Sequence, residues 1–141
     1  MPGFFKDVFE YLKEKAINDS SYRDCGLLFD GMYIKSDVVY NKSKGCYEGF
    51  ANFGEDISAF NPDVVATEAL VFMLVGLKGH WKTPIGYVLC NSTNATNISS
   101  LISKALQLAS SHGIYVHNVT SDGLPANLDA MNHSVVNLDQ L

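Results

Sequence analysis

The sequence predicts an α/β domain, a mixed sheet flanked by helices, and three observations lead there. Short apolar, strand-like runs are interspersed with two long segments of helical periodicity, residues 4–17 and 94–112. One pair of runs is separated by a turn-rich stretch in hairpin fashion. Two aspartates, Asp30 and Asp122, each close a strand-like run, residues 25–30 and 113–122. Strands of open α/β sheets point their carboxyl ends into the crevice where ligands bind, so carboxylates placed there can share a divalent cation.

Each element follows from its residues. Phe5, Val8, Phe9, Leu12 and Ala16 recur at helical spacing with Lys6, Asp7, Lys13 and Glu14 opposite them, which makes residues 4–17 an amphipathic helix. A polar loop, 18–24, completes an amino-terminal unit, 1–24, ahead of the body of the domain, 25–141. Leu27, Leu28 and Phe29 form a short buried strand ending at Asp30. Residues 37–40 and 47–51 flank the turn 41–45 as a hairpin, and 55–65, with Pro62, is a surface excursion. The apolar run 66–77 suits a buried strand or a buried helix; its Val71 to Val75 core, followed by Gly76 and Gly79, favours strand. A further strand, 84–90, is joined to it through 78–82. Ile98, Leu101, Ile102, Ala105, Leu106, Leu108 and Ala109 share one broad face of a helix over 94–112, with Gly113 as its cap. A strand over 114–120 and a helix from Leu124 or Pro125 follow.

A strand-helix-strand crossover makes the last strand parallel to its sheet neighbour. If that neighbour is the first strand, Asp30 and Asp122 address one pocket. This is the layout of a ribonuclease H-like domain.

Bulk composition narrows the function. A chain of 141 residues with 47% hydrophobic and 18% charged content builds one compact domain. A net charge of -5 argues against a stand-alone nucleic-acid binder, because phosphate neutralisation by Lys and Arg supplies most of such affinity. DNA would be held through other domains or a partner. Cys25, Cys46 and Cys90 form no Cys-x-x-Cys pair and read as reduced thiols of an intracellular protein. The amino terminus lacks the pattern of a signal peptide, and the longest apolar stretch, 69–77, is too short for a membrane span. The sequons at Asn91, Asn94, Asn97 and Asn118 read as turns. His112, His117 and His133 lack zinc-ligand spacing, and there is no phosphate-binding Gly-x-x-x-x-Gly-Lys loop.

The segment Ala66-Thr-Glu-Ala-Leu-Val-Phe-Met-Leu-Val-Gly-Leu-Lys-Gly-His-Trp-Lys-Thr-Pro-Ile-Gly-Tyr87 resembles the characteristic segment of P element-type transposases, including the transposase-derived THAP-domain proteins. Asp30-Gly-Met-Tyr-Ile-Lys35 resembles their Asp-Glu-Met-x-Ile-Lys motif, Gly49-Phe50 their Gly-Phe strand, and Thr120-Ser-Asp-Gly123 with Asn127 their Asp-Gly-x-x-x-Asn motif. The resemblance implies a ribonuclease H-like catalytic core of a nuclear cut-and-paste DNA transposase, with Asp30 and Asp122 as its first two catalytic acids and metal ligands. The implied cofactor is Mg²⁺ or Mn²⁺, in a two-metal displacement at phosphorus.

The chain departs from the family at three points. Gly31 stands where an acidic residue is usual, and Asn52 where an aspartate is common. The cysteines of the family's amino-terminal zinc domain are missing. The third catalytic glutamate lies far downstream in the family, beyond an inserted region associated with guanine nucleotides, whereas this chain ends at Leu141. The resemblance therefore implies a domain incomplete at its carboxyl end, with two of three acidic ligands and an apolar face open to self-association or a transposase-related partner. The competing expectation is a catalytically inactive, domesticated remnant that acts as a protein-interaction module. A free-standing nuclease would need Glu68 or Asp129 to supply the third acid. Glu68 reads as a core-edge carboxylate, Asp129 and Asp139 as solvated, and His80, Trp81 and Lys82 as a tight turn with a packed indole rather than a DNA contact.

Overall fold

A computed structural model describes residues 2–34, 39–48, 65–91 and 95–121. The order is β1 (Gly3–Phe4), α1 (Lys6–Asn18), a single 3-10 turn (Ser20–Tyr22), β2 (Asp24–Tyr33), β3 (Val39–Asn41), β4 (Cys46–Glu48), β5 (Glu68–Gly76), β6 (Lys82–Cys90), α2 (Ala95–Ser111) and β7 (Tyr115–Ser121). Five strands make one mixed sheet in the order β1-β6-β5-β2-β7, while β3 and β4 form a separate ribbon. Only the β2–β7 pairing within the five-stranded sheet is parallel. The crossover through α2 thus brings the last described strand beside the first long one, the arrangement that the sequence left as a condition.

Period-two alternation sorts the strand residues into two faces. Leu27 and Phe29 of β2 pair with Leu74 and Phe72 of β5 and are fully buried. With Val88 and Cys90 of β6 they join Phe9, Leu12 and Ala16 of α1 and Ile98, Leu101, Ile102, Ala105 and Ala109 of α2 in one core cluster. Each large apolar side chain taken from water there contributes about 1.5–3 kcal/mol. Leu28, Val71, Met73, Tyr87 and Leu89 have the opposite parity and are half-buried. Both described helices therefore serve the core face.

The ambiguous run 66–77 is a strand because every residue from Glu68 to Val75 finds a partner in β6. α2 ends at Ser111, and Gly113 just beyond it, with a left-handed φ of 76°, supplies the expected cap. The first helix starts two residues later than expected, since Phe4 pairs with Gly86 in β1 and Phe5 stays extended. A two-residue strand has no periodicity to read. The hairpin is present, with 39–41 paired against 46–48, while 37–38 and 49–51 lie outside the described residues. The excursion at 55–64 and the helix expected from Leu124 lie outside the described residues.

Candidate active site

Asp30 sits within β2 rather than at its end. The strand continues for three residues because Gly31, Met32 and Tyr33 still pair with Leu70, Ala69 and Glu68 of β5. On the other side the described part of the parallel ladder runs as far as Phe29 with Ser121. Asp30 is therefore the residue just past the last described parallel pair, and it pairs with Val71 of β5. Its parity is opposite to Phe29, so its exposed carboxylate stands on the face away from the core cluster. A cross-strand row on that face runs Asp30, Val71, Tyr87.

β7 contributes to the same face through a bulge. Cys25 pairs with Val116 but Gly26 with Asn118, which leaves His117 as the extra residue. Val116 and Val119 stay packed against the core, while Asn118 and Thr120 are exposed. A Cβ on Gly26 would overlap the Asn118 amide, so the glycine is what lets that side chain lie across β2. Asp122, Gly123 and Asn127 lie outside the described residues.

Among the described residues, no cluster of acidic, histidine and cysteine side chains gathers at Asp30. Glu68 shares the parity of Leu70 and Phe72, and its Oε2 lies 3.9 Å from the buried Cys90 Sγ. It is the core-edge carboxylate the sequence favours. No group of three or more His, Cys, Asp or Glu able to hold a metal occurs among the described residues. His112 caps α2 through Nδ1 at 2.6 Å from the Leu108 carbonyl, and its Nε2 stands 3.4 Å from Glu10. Burial pushes the Cys25 thiol up to about 12, so it is inert. Asp129, His133 and Asp139 lie outside the described residues.

The His80, Trp81 and Lys82 turn is at the far end of the sheet, where Val75 meets Lys82 and Gly76 meets Cys25. Trp81 Nε1 donates to the Ser21 carbonyl at 2.9 Å, and the indole stacks on Tyr22 with centroids 4.9 Å apart. Its packed role is confirmed. Sequence reasoning missed the polar cluster beside it: Asp24 accepts from His117 at 2.7 Å and from Lys78 at 3.2 Å. The His117 hydrogen bond first, then that of Lys78, holds the Asp24 carboxyl below its ordinary value. A sequence separation of 93 residues between Asp24 and His117 left no local signal.

With this geometry in hand, the family model described as TNP-like, RNase H N-terminal domain matches residues 1–134. The chain belongs to that family. A human relative, "DNA transposase THAP9", is 33% identical over 122 residues, covering 86% of this chain and 14% of its own length. Among solved structures, the "Drosophila P element transposase strand transfer complex" superposes with a TM-score of 0.66 at 17% identity, over 94% of this chain and 25% of that one. The second match shows the fold, a ribonuclease H-like α/β sheet. The chain thus spans a minor part of the proteins it resembles. No helix among the described residues is long and apolar enough to cross a membrane.

Proposed function

We infer that this chain is the leading part of the ribonuclease H-like catalytic domain of a P element-type transposase, acting in the nucleus in metal-dependent DNA cleavage and strand transfer. The observation that carries this is the pairing of β7 parallel to β2, with its last described register at Phe29 and Ser121, the residues immediately before Asp30 and Asp122. Asp122 has the sequence parity of Asn118 and Thr120, the exposed residues on the Asp30 side of β7.

Asp30 suits a hard cation: its oxygens are exposed, and it is carried on a strand bonded to β5 on both sides of it. Mg²⁺ or Mn²⁺ would be held by Asp30 and Asp122 and would supply Lewis-acid polarisation of a phosphate oxygen. The protein's own contribution is placement: the rigid strand fixes one carboxylate and the core beneath Phe29 prevents it from retreating. DNA is held through further domains or a partner, consistent with the net charge of -5.

Calorimetric titration of Mg²⁺ and Mn²⁺ into the wild type and Asp30→Asn/Asp122→Asn tests the site. Stoichiometric binding abolished by the double substitution is the expected result. No binding at millimolar metal would overturn it and leave the interaction module standing.

A further inference from the structure

We propose that residues 3–5 are a strap that closes the outer edge of β6 against pairing with the same edge of a second copy of the chain. The inference stands apart from the catalytic reading, because it concerns the margin of the sheet and not the Asp30 site.

β6 is the outermost long strand on its side of the sheet, and among the described residues β1 is its one outer neighbour. An edge strand offers a row of N–H and C=O groups to any extended chain that meets it. The first part of β6 resists such pairing through its own residues: Lys82 is charged and exposed, and Pro84 has no N–H. From Ile85 to Cys90 the run Ile-Gly-Tyr-Val-Leu-Cys carries neither charge nor proline and is rich in strand-forming side chains. β1 lies where that protection ends. Gly3 pairs with Tyr87 and Phe4 with Gly86, and the Phe5 N–H donates to the Ile85 carbonyl at 2.8 Å.

The seat fits the strap closely. A Cβ on Gly86 would come 2.7 Å from the Gly3 carbonyl oxygen and 2.9 Å from Phe4 Cα, and backbone atoms have no rotamer by which to swing aside. Gly3 takes a positive φ of 112°, which suits glycine. Phe4 lies against Phe72 with ring centroids 5.4 Å apart, and Phe5 meets Tyr87 edge-on at 6.0 Å. Tying down a terminus is the ordinary role of such a segment, and it accounts for the Phe4 anchor. It does not account for Gly86, which weakens the interior of a strand and is compensated by the close approach of β1. The partner held off is a second copy, because two identical runs would meet antiparallel about a two-fold axis. With Val88 at that axis, Gly86 would face Cys90 and Tyr87 would face Leu89, with no charge opposed.

Sedimentation velocity on the full chain, on Gly86→Ala and on a variant lacking residues 1–4 tests the proposal, with far-UV circular dichroism to establish folding. The mass of both variants should rise with concentration from that of one chain towards that of two, beyond any rise in the wild type. Amide hydrogen exchange locates the contact: residues 85–90 should gain protection with concentration in the variants alone. The deletion leaves Gly86 in place and the substitution leaves Phe4 in place, so if either variant fails to fold the other decides. Folded variants that sediment as the wild type does would overturn the proposal. So would association that protects amides elsewhere on the sheet and leaves 85–90 exchanging as before.

Discussion

The two ends of the central sheet are built on opposite plans. At the end where β2 begins, polar groups are tied down: Trp81 to the Ser21 carbonyl, Arg23 Nε to the Ala16 carbonyl at 2.7 Å, and Asp24 to both His117 and Lys78. The backbone joins in, with Tyr115 N–H donating to Arg23 and Leu77 N–H to Asp24. At the other end Asp30, Met32 and Tyr33 are exposed. These contacts tie α1, the 3-10 turn, β2, β7 and the β5–β6 turn together at the end of the sheet opposite Asp30.

Removing the indole should break that contrast most. Trp81→Ala deletes the stack on Tyr22 and the bond to Ser21, and a loss of about 3 kcal/mol in urea unfolding is expected for an aromatic so packed. Gly76→Ala follows. Its Cβ would fall inside the Trp81 ring, and overpacking of this kind costs about 1–3 kcal/mol. Because the strain is shared with the indole, Gly76→Ala in a Trp81→Ala background should cost far less, a coupling that a double-mutant cycle would read.

A smaller effect is expected at Asp24, and its sign can be worked out. The folded carboxyl is held below its ordinary value of 3.8, so its contribution is present above that pH and is lost as pH falls through the lower folded value. The stability gap between wild type and Asp24→Asn should therefore be full at neutral pH and close below 3.8. Since the group is at the surface, salt should narrow the gap at neutral pH. An unchanged gap down to pH 2 would show that the cluster does not bind the two strands together.

How much of this was legible in sequence depended on whether the signal was local. α1 and α2 were read from periodicity, and β5 from an apolar run closed by glycines. That the last strand runs parallel to its neighbour followed from the helical crossover, whereas that the neighbour is β2 is read only from the structure. The extent of β2 was not legible: Gly31 to Tyr33 pair with β5 without being buried, and hydrophobic pattern reports burial rather than pairing. The bulge at Cys25 and Gly26 was equally silent, though it decides that His117 reaches Asp24 and that Asn118 lies on the Asp30 face. The candidate site was legible as two aspartates on two strands. The described residues bear out the two strands, carry β2 three residues past Asp30, and place Glu68 with the core.

The weakest expected effect on stability is at Asp30 itself, and this is what makes it informative. Asp30 is exposed, and asparagine preserves its size and hydrogen-bonding reach on the same strand. Asp30→Asn should shift unfolding by no more than about 0.5 kcal/mol in metal-free buffer, the range of surface substitutions. If the carboxylate holds a cation, adding Mn²⁺ should raise the melting temperature of the wild type and leave the variant where it was, because a ligand stabilises only the state that binds it. A variant as responsive as wild type would move the cation elsewhere on the sheet. A large loss of stability without metal would instead make Asp30 a structural residue, and the two ends of the sheet would then differ in exposure but not in purpose.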